Sequence, residues 1–170
     1  PEFPVISGLS GILTDLLDNI GLQGKLLDNN KLEVTHDDES LIQQPGVIKE
    51  LIRAEVLWHE LVTQKDSTDA RDSSGNTFEY LASIKRVNVK TNKGCSFQMD
   101  RMTRNNLHRV TRNTAFYFGV FSDHLVLAKI WKVEILVVLA QVERQLDRCK
   151  NDIAHVNFLL RWLEDQGERV

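Results

Sequence analysis

The chain of 170 residues has the length of a single domain, and its 42% apolar and 26% charged content is that of an ordinary globular protein. Two cysteines make neither a disulfide framework nor a zinc spacing. The longest apolar run, ILVVLAQV, is far too short to span a bilayer, and there is no basic leader with an apolar core, so a cytoplasmic protein with no membrane partner is expected. The net charge of -3 hides a segregation: residues 1–50 carry nine acids against three bases, whereas residues 85–112 carry eight bases (Lys85, Arg86, Lys90, Lys93, Arg101, Arg104, Arg109, Arg112) against Asp100 alone.

SGLSGILTDLLDNI predicts a helix over residues 7–20, with Leu9, Ile12, Leu13, Leu16, Leu17 and Ile20 on one stripe and Gly21 as its stop. NKLEVTHDDES reads as a loop with a short extended piece. PGVIKELIRAEVLWHELVTQ predicts a second helix over 45–64, with Pro45 in its first turn. After the Gly75–Asn76 turn, TFEYLASIKRVNV is rich in β-branched and aromatic residues and predicts a strand over 77–89. MDRMTRNNLHRV reads as a basic helix over 99–110. TAFYFGVF and HLVLAKIWKVE read as a hairpin, VEILVVLAQVERQLDRC as a helix, and FLLRWLEDQ as a short helix before Gly167. Helices, then strands, then helices argue an α+β or mixed α/β fold in one domain spanning 1–170.

The stretch DARDSSGNTFEYLASIK, Asp69 to Lys85, is the one that carries chemistry. Metal-assisted hydrolysis of a phosphodiester needs two carboxylates to hold Mg2+ through hard oxygen ligands, and a lysine to stabilise charge. A β-hairpin supplies this economically: one acid stands near the end of the first strand, and the second acid and the lysine stand two apart on the next strand, pointing the same way. A basic stripe such as 85–112 suits a polyanionic partner, because neutralised phosphates supply most non-specific nucleic-acid affinity.

Three patches in order, DARDSSGNTFEYL, NKGCSFQMDRM and NDIAHVNFLLRWLEDQG, resemble the PD-(D/E)xK nucleases, in particular type II restriction endonucleases. The resemblance covers about residues 69–170. It implies a central mixed sheet flanked by helices, and a Mg2+-dependent homodimer that cuts double-stranded DNA at a short palindromic site. Residues 1–65 would then form a helical, dimerising N-terminal region. Carried over, Asp69 matches the first metal-binding aspartate and Glu79 the second acid. The sequence departs from the motif at the lysine, where Leu81 stands. In a second register Lys85 matches the lysine, but Ser83 then takes the place of the acid. On a regular strand Lys85 lies roughly 20 Å from Glu79, so only a bulge or loop would bring the two together.

In the second patch Gln98, Met99, Asp100 and Arg101 match a segment that reads base edges; an aspartate can accept from cytosine N4 and an arginine can donate to guanine O6 and N7. His155 matches a base contact in the third patch. Arg104, Asn105, His108 and Arg109 read as phosphate contacts. Leu81 equally suits a DNA-binding protein of the same fold that has lost cleavage.

Overall fold

The computed structural model describes residues 24–26, 32–34, 45–62, 64, 67–84, 96–121 and 127–170. The helix expected over 7–20 lies outside them. Two short strands, β1 (Gly24–Leu26) and β2 (Leu32–Val34), pair antiparallel, so the 1–65 region is not wholly helical.

Helix α1 (Pro45–Leu57) stops seven residues short of its expected end. Trp58 takes a left-handed φ of 58°, and the His59 N–H closes on the Ala54 carbonyl at 2.9 Å, so a tryptophan fills the position that usually falls to glycine. The chain then enters the edge strand β3 (Glu60–Leu61), which pairs with β4 (Ala70–Arg71); Arg71 donates two hydrogen bonds to the Glu60 carboxylate at 2.9 and 3.1 Å. Strand pairing overrides an apolar period that would otherwise extend the helix. After β4 comes β5 (Thr77–Ile84), its antiparallel partner. The turn between them rests on Gly75, at φ 84°, and on Asp72, whose carboxylate accepts from the Ser74 and Asn76 amides and the Asn76 side chain, each at 2.9 Å. The hairpin is the one expected from the sequence.

Strand β6 (Ser96–Thr103) and the short helix α2 (His108–Thr111), joined by a 3-10 turn, occupy the stretch that reads as one basic helix. Its inward residues explain the misreading. Met99 and Met102 stand three apart, as on a helix, but between them Asp100 and Arg101 form a bulge, with Arg101 at φ 54°. That extra residue turns both methionines into the core.

Strands β7 (Ala115–Phe121) and β8 (Leu127–Glu134) form the expected hairpin, followed by α3 (Ile135–Asp147), β9 (Ile153–Leu159), α4 (Leu160–Gln166) and β10 (Glu168–Arg169). The six-stranded mixed sheet runs β10-β8-β7-β5-β4-β3, with β5 and β7 parallel; β6 and β9 make a separate antiparallel ribbon. The protein is therefore mixed α+β. Every residue of β7 is buried, as a central strand covered on both faces requires. On one face α1 packs Leu51 and Ile52 against Phe78, Tyr80, Tyr117 and Phe121; on the other, α3, α4 and the ribbon pack against Phe116, Phe118 and Val120. Among the described residues no helix is long and apolar enough to cross a membrane.

Gly119, in the middle of β7, is required by a close approach. A Cβ there would stand 2.9 Å from Arg53 Cδ and 3.1 Å from Phe121 Cε2. Gly119→Ala is expected to destabilise the protein by about 1–3 kcal/mol, the cost of overpacking, as measured by denaturant unfolding. An unchanged midpoint would mean that Arg53 relocates freely.

Candidate active site and nucleic-acid face

The two acids of the hairpin come together because β4 is only two residues long. Beyond Phe78, β5 has no β4 partner, and the Asp69 carboxylate takes the place of one: its Oδ2 accepts the Tyr80 N–H at 2.8 Å. The segment entering β4 is pinned by the buried Thr68, whose hydroxyl donates to the Phe78 carbonyl at 2.8 Å. Glu79 alternates with Phe78 and Tyr80, so it points away from the α1 face, toward Arg109 and Arg112. Its Oε2 lies 3.9 Å from Arg112 Nη2, and this buried oxygen accepts no hydrogen bond.

A third carboxylate and another cation join from α1. Glu50 and Arg53 stand three apart, hence side by side on the helix. Arg53 is 1% exposed; its Nε donates to the Lys49 carbonyl at 3.1 Å and its Nη1 to the Leu81 carbonyl at 2.5 Å. The guanidinium lies over the Tyr80 ring at 4.8 Å. Neither residue is singled out by the sequence. The sole trace is a charged pair inside a helix whose middle, Leu51 to Ala54, is buried on every side.

Electrostatics bind these groups into one cluster. Burial, then the charge of Asp69, push Glu79 up to about 8, against the opposing pull of Arg112 and Arg109. Glu50 is raised to about 7 by burial and by Asp69, with Arg53 opposing. Burial also raises Asp69, opposed by the Tyr80 amide, Arg53 and Arg112. Arg53 is lowered by burial to about 10 and so remains a cation at neutral pH. Three carboxylates that resist ionising together are what a divalent cation would relieve. Among the described residues no group of three or more His, Cys, Asp or Glu is arranged to hold a metal ion. Mg2+ does not require one, since it keeps several waters and commonly uses one or two carboxylates. The orphaned Glu79 oxygen and Asp69 fit that smaller set.

Lys85 lies outside the described residues. The pairing of β5 with β7 runs from Phe78 to Ile84 without a bulge, so nothing in that stretch shortens the path from Glu79.

The base-reading candidates fall on the β6–β9 ribbon, with one correction. Gln98, Asp100, Arg101 and His155 are exposed, whereas Met99 is 3% exposed within the core and presents no surface to a base. His155 sits opposite the bulge, with Nδ1 2.9 Å from Asp100 Oδ1. Strand β9 was not expected from the sequence: its inward residues are Ala154, Val156 and Phe158, but Ile153 and Leu159 at its ends face outward and blur the alternation. Arg104 is exposed and paired with Asp147, and Asn105 is exposed beside it. Arg109 is half-buried, donates to the Asp100 carbonyl at 3.2 Å, and acts electrostatically on Glu79. It belongs as much to the acidic cluster as to the basic stripe.

No protein-family model matches this sequence, and no curated protein matches it.

Proposed function

We propose that this chain is a Mg2+-dependent deoxyribonuclease of the type II restriction endonuclease kind, hydrolysing both strands of double-stranded DNA. The observation that carries this reading is the buried Oε2 of Glu79, which accepts no hydrogen bond, in a cluster with Asp69 and Glu50. Asp69 and Glu79 would hold the ion, and when bound it would polarise the phosphate and lower the pKa of the attacking water. Asp69 is kept in place by the Tyr80 amide. Glu50, raised to about 7, suits the acceptance of a proton from that water near neutral pH. Arg109 and Arg112 supply positive charge on the Glu79 side, where charge would build on the phosphate. The ribbon face of Gln98, Asp100, Arg101 and His155 has a shape the major groove admits. A palindromic site would engage two copies, one active site per strand.

Leu81 and the approach of Arg112 to Glu79 favour a second reading, a DNA-binding protein of the same fold that does not cleave. Plasmid digestion with Mg2+ or with chelator separates the two. Fragments with defined ends support the nuclease; a mobility shift without change of length supports the binding protein; no effect on DNA sinks both.

Binding itself has a salt signature. Arg109→Ala, which removes one of the cations read as a phosphate contact, is expected to flatten the fall of log K with log salt by about 0.9 without changing sequence preference, whereas Arg101→Ala is expected to change that preference. A flattened slope with unchanged preference for Arg101→Ala would instead assign Arg101 to a phosphate.

A further inference from the structure

Asp100 is the single acid against eight bases in residues 85–112, and it is exposed on the ribbon face proposed to meet DNA. A negative charge there repels phosphate and opposes the binding that its neighbours favour. Its geometry gives it another role. The bulge sets two consecutive outward residues, Asp100 and Arg101, against the one residue His155, because Met99 pairs with Val156 and Met102 with Ala154. The main chain of both strands is pinned around this contact. On β6, Arg109 donates to the Asp100 carbonyl at 3.2 Å, and Asn106 Nδ2 donates to the Arg101 carbonyl at 2.9 Å. On β9, the Gln145 side chain of α3 accepts the Asn157 N–H at 2.9 Å and donates to the Asn157 carbonyl at 2.7 Å. Between these fixed points Asp100 Oδ1 lies 2.9 Å from His155 Nδ1.

Both side chains are 68% exposed, and a pair so exposed adds little stability. What it does decide is the tautomer. A carboxylate only accepts, which puts the ring proton on Nδ1 and leaves Nε2 of the neutral ring as an acceptor. Without that partner the tautomers exchange, and a nitrogen that both donates and accepts does not tell guanine O6 from cytosine N4. We propose that Asp100 is a positioning residue that fixes the His155 proton on Nδ1, so that Nε2 reads an exocyclic amino group, that of cytosine or adenine, in the major groove. This inference rests on the DNA-binding part of the reading above and not on cleavage. The aspartate acts through the histidine and does not itself touch the base.

The test selects binding sites from a random duplex library by gel shift, with Ca2+ in place of Mg2+, at about pH 8.5, where free imidazole is neutral. His155→Ala is expected to lose about tenfold discrimination at one base pair of each half-site. Asp100→Asn is expected to lose at least about fivefold at that same pair, since an amide both donates and accepts. Its affinity for unrelated DNA should rise by about threefold, because a charge that repels phosphate has gone. In the His155→Ala background, Asp100→Asn should remove no further discrimination. Replacing the selected cytosine by 2-pyrimidinone, or adenine by purine, deletes the amino group alone. That deletion is expected to weaken wild-type binding about fivefold and His155→Ala binding less than about twofold.

Discrimination lost at different base pairs in the two single variants, or a further loss in the double variant, makes Asp100 a base reader and overturns this inference. So does a wild type indifferent to deletion of the amino group, or a His155→Ala protein that selects the wild-type site. Wild-type protein that selects no sequence sinks the sequence-specific reading, and this inference with it.

Discussion

Asp69→Asn and Glu79→Gln are each expected to lower the rate of DNA cleavage by at least about three orders of magnitude, a barrier increase of over about 4 kcal/mol, while sequence-specific binding persists. Both changes keep the shape of the side chain and remove one anionic ligand oxygen. Binding should survive because the exposed ribbon residues Gln98, Arg101 and His155 lie on other strands. Asp69→Asn leaves a carbonyl oxygen to accept the Tyr80 amide, so the junction of β4 and β5 can stay closed. Glu79→Gln places an amide near Arg112 where an anion stood at 3.9 Å, so some reorientation of Arg112 is expected. Single-turnover cleavage measured beside a gel-shift titration checks the pair of outcomes. Cleavage within tenfold of wild type for either variant would remove that residue from the chemistry.

The metal-free protein is expected to lose stability as pH rises from about 5 to about 8, the reverse of the usual trend for paired carboxylates. Burial and Asp69 raise Glu79 from 4.5 to about 8, and Glu50 rises from 4.5 to about 7. Where the folded state has the higher pKa, it holds more protons than the unfolded chain between the two values. The stabilisation is complete below the unfolded pKa and is lost as pH climbs through the folded one. For Glu79 the difference is on the order of 5 kcal/mol, or roughly 10–20 °C in melting temperature for a chain of this size. Glu79→Gln should flatten this dependence and raise the melting temperature at pH 8.5, and saturating Mg2+ should do likewise for the wild type. A melting temperature that climbs from pH 5.5 to 8.5 without metal would mean that the acids ionise freely and are not the coupled cluster described.

Taken together, the two outcomes distinguish a catalytic cluster from a structural one. A cluster that exists only to stabilise would be weakened by Glu79→Gln. A cluster held in readiness for a cation is strained without it, and neutralising one member relieves the strain.

The sequence by itself determined the parts whose physics is local. Gly75 and Asp72 dictate the turn within a few residues, and the strand period of two sets Glu79 apart from Phe78 and Tyr80. The apolar run of β7 and the helical spacing of α3 were equally readable. Only the tertiary structure decided where these pieces meet. α1 ends at Leu57 because its continuation pairs with β4, and β6 is a strand because its partner β9 lies far along the chain, Asp100 meeting His155 across 55 positions. The Met99–Met102 spacing is helical in sequence and becomes a strand spacing through a bulge that pairing with β9 imposes. Arg53 is the clearest case. Its charge reaches the Leu81 carbonyl across 28 positions, and no periodicity or turn signal encodes an approach that depends on a glycine in a third element, β7. Local rules act over one turn of helix or one hairpin, whereas a buried charge is placed by whatever long-range packing leaves room for it.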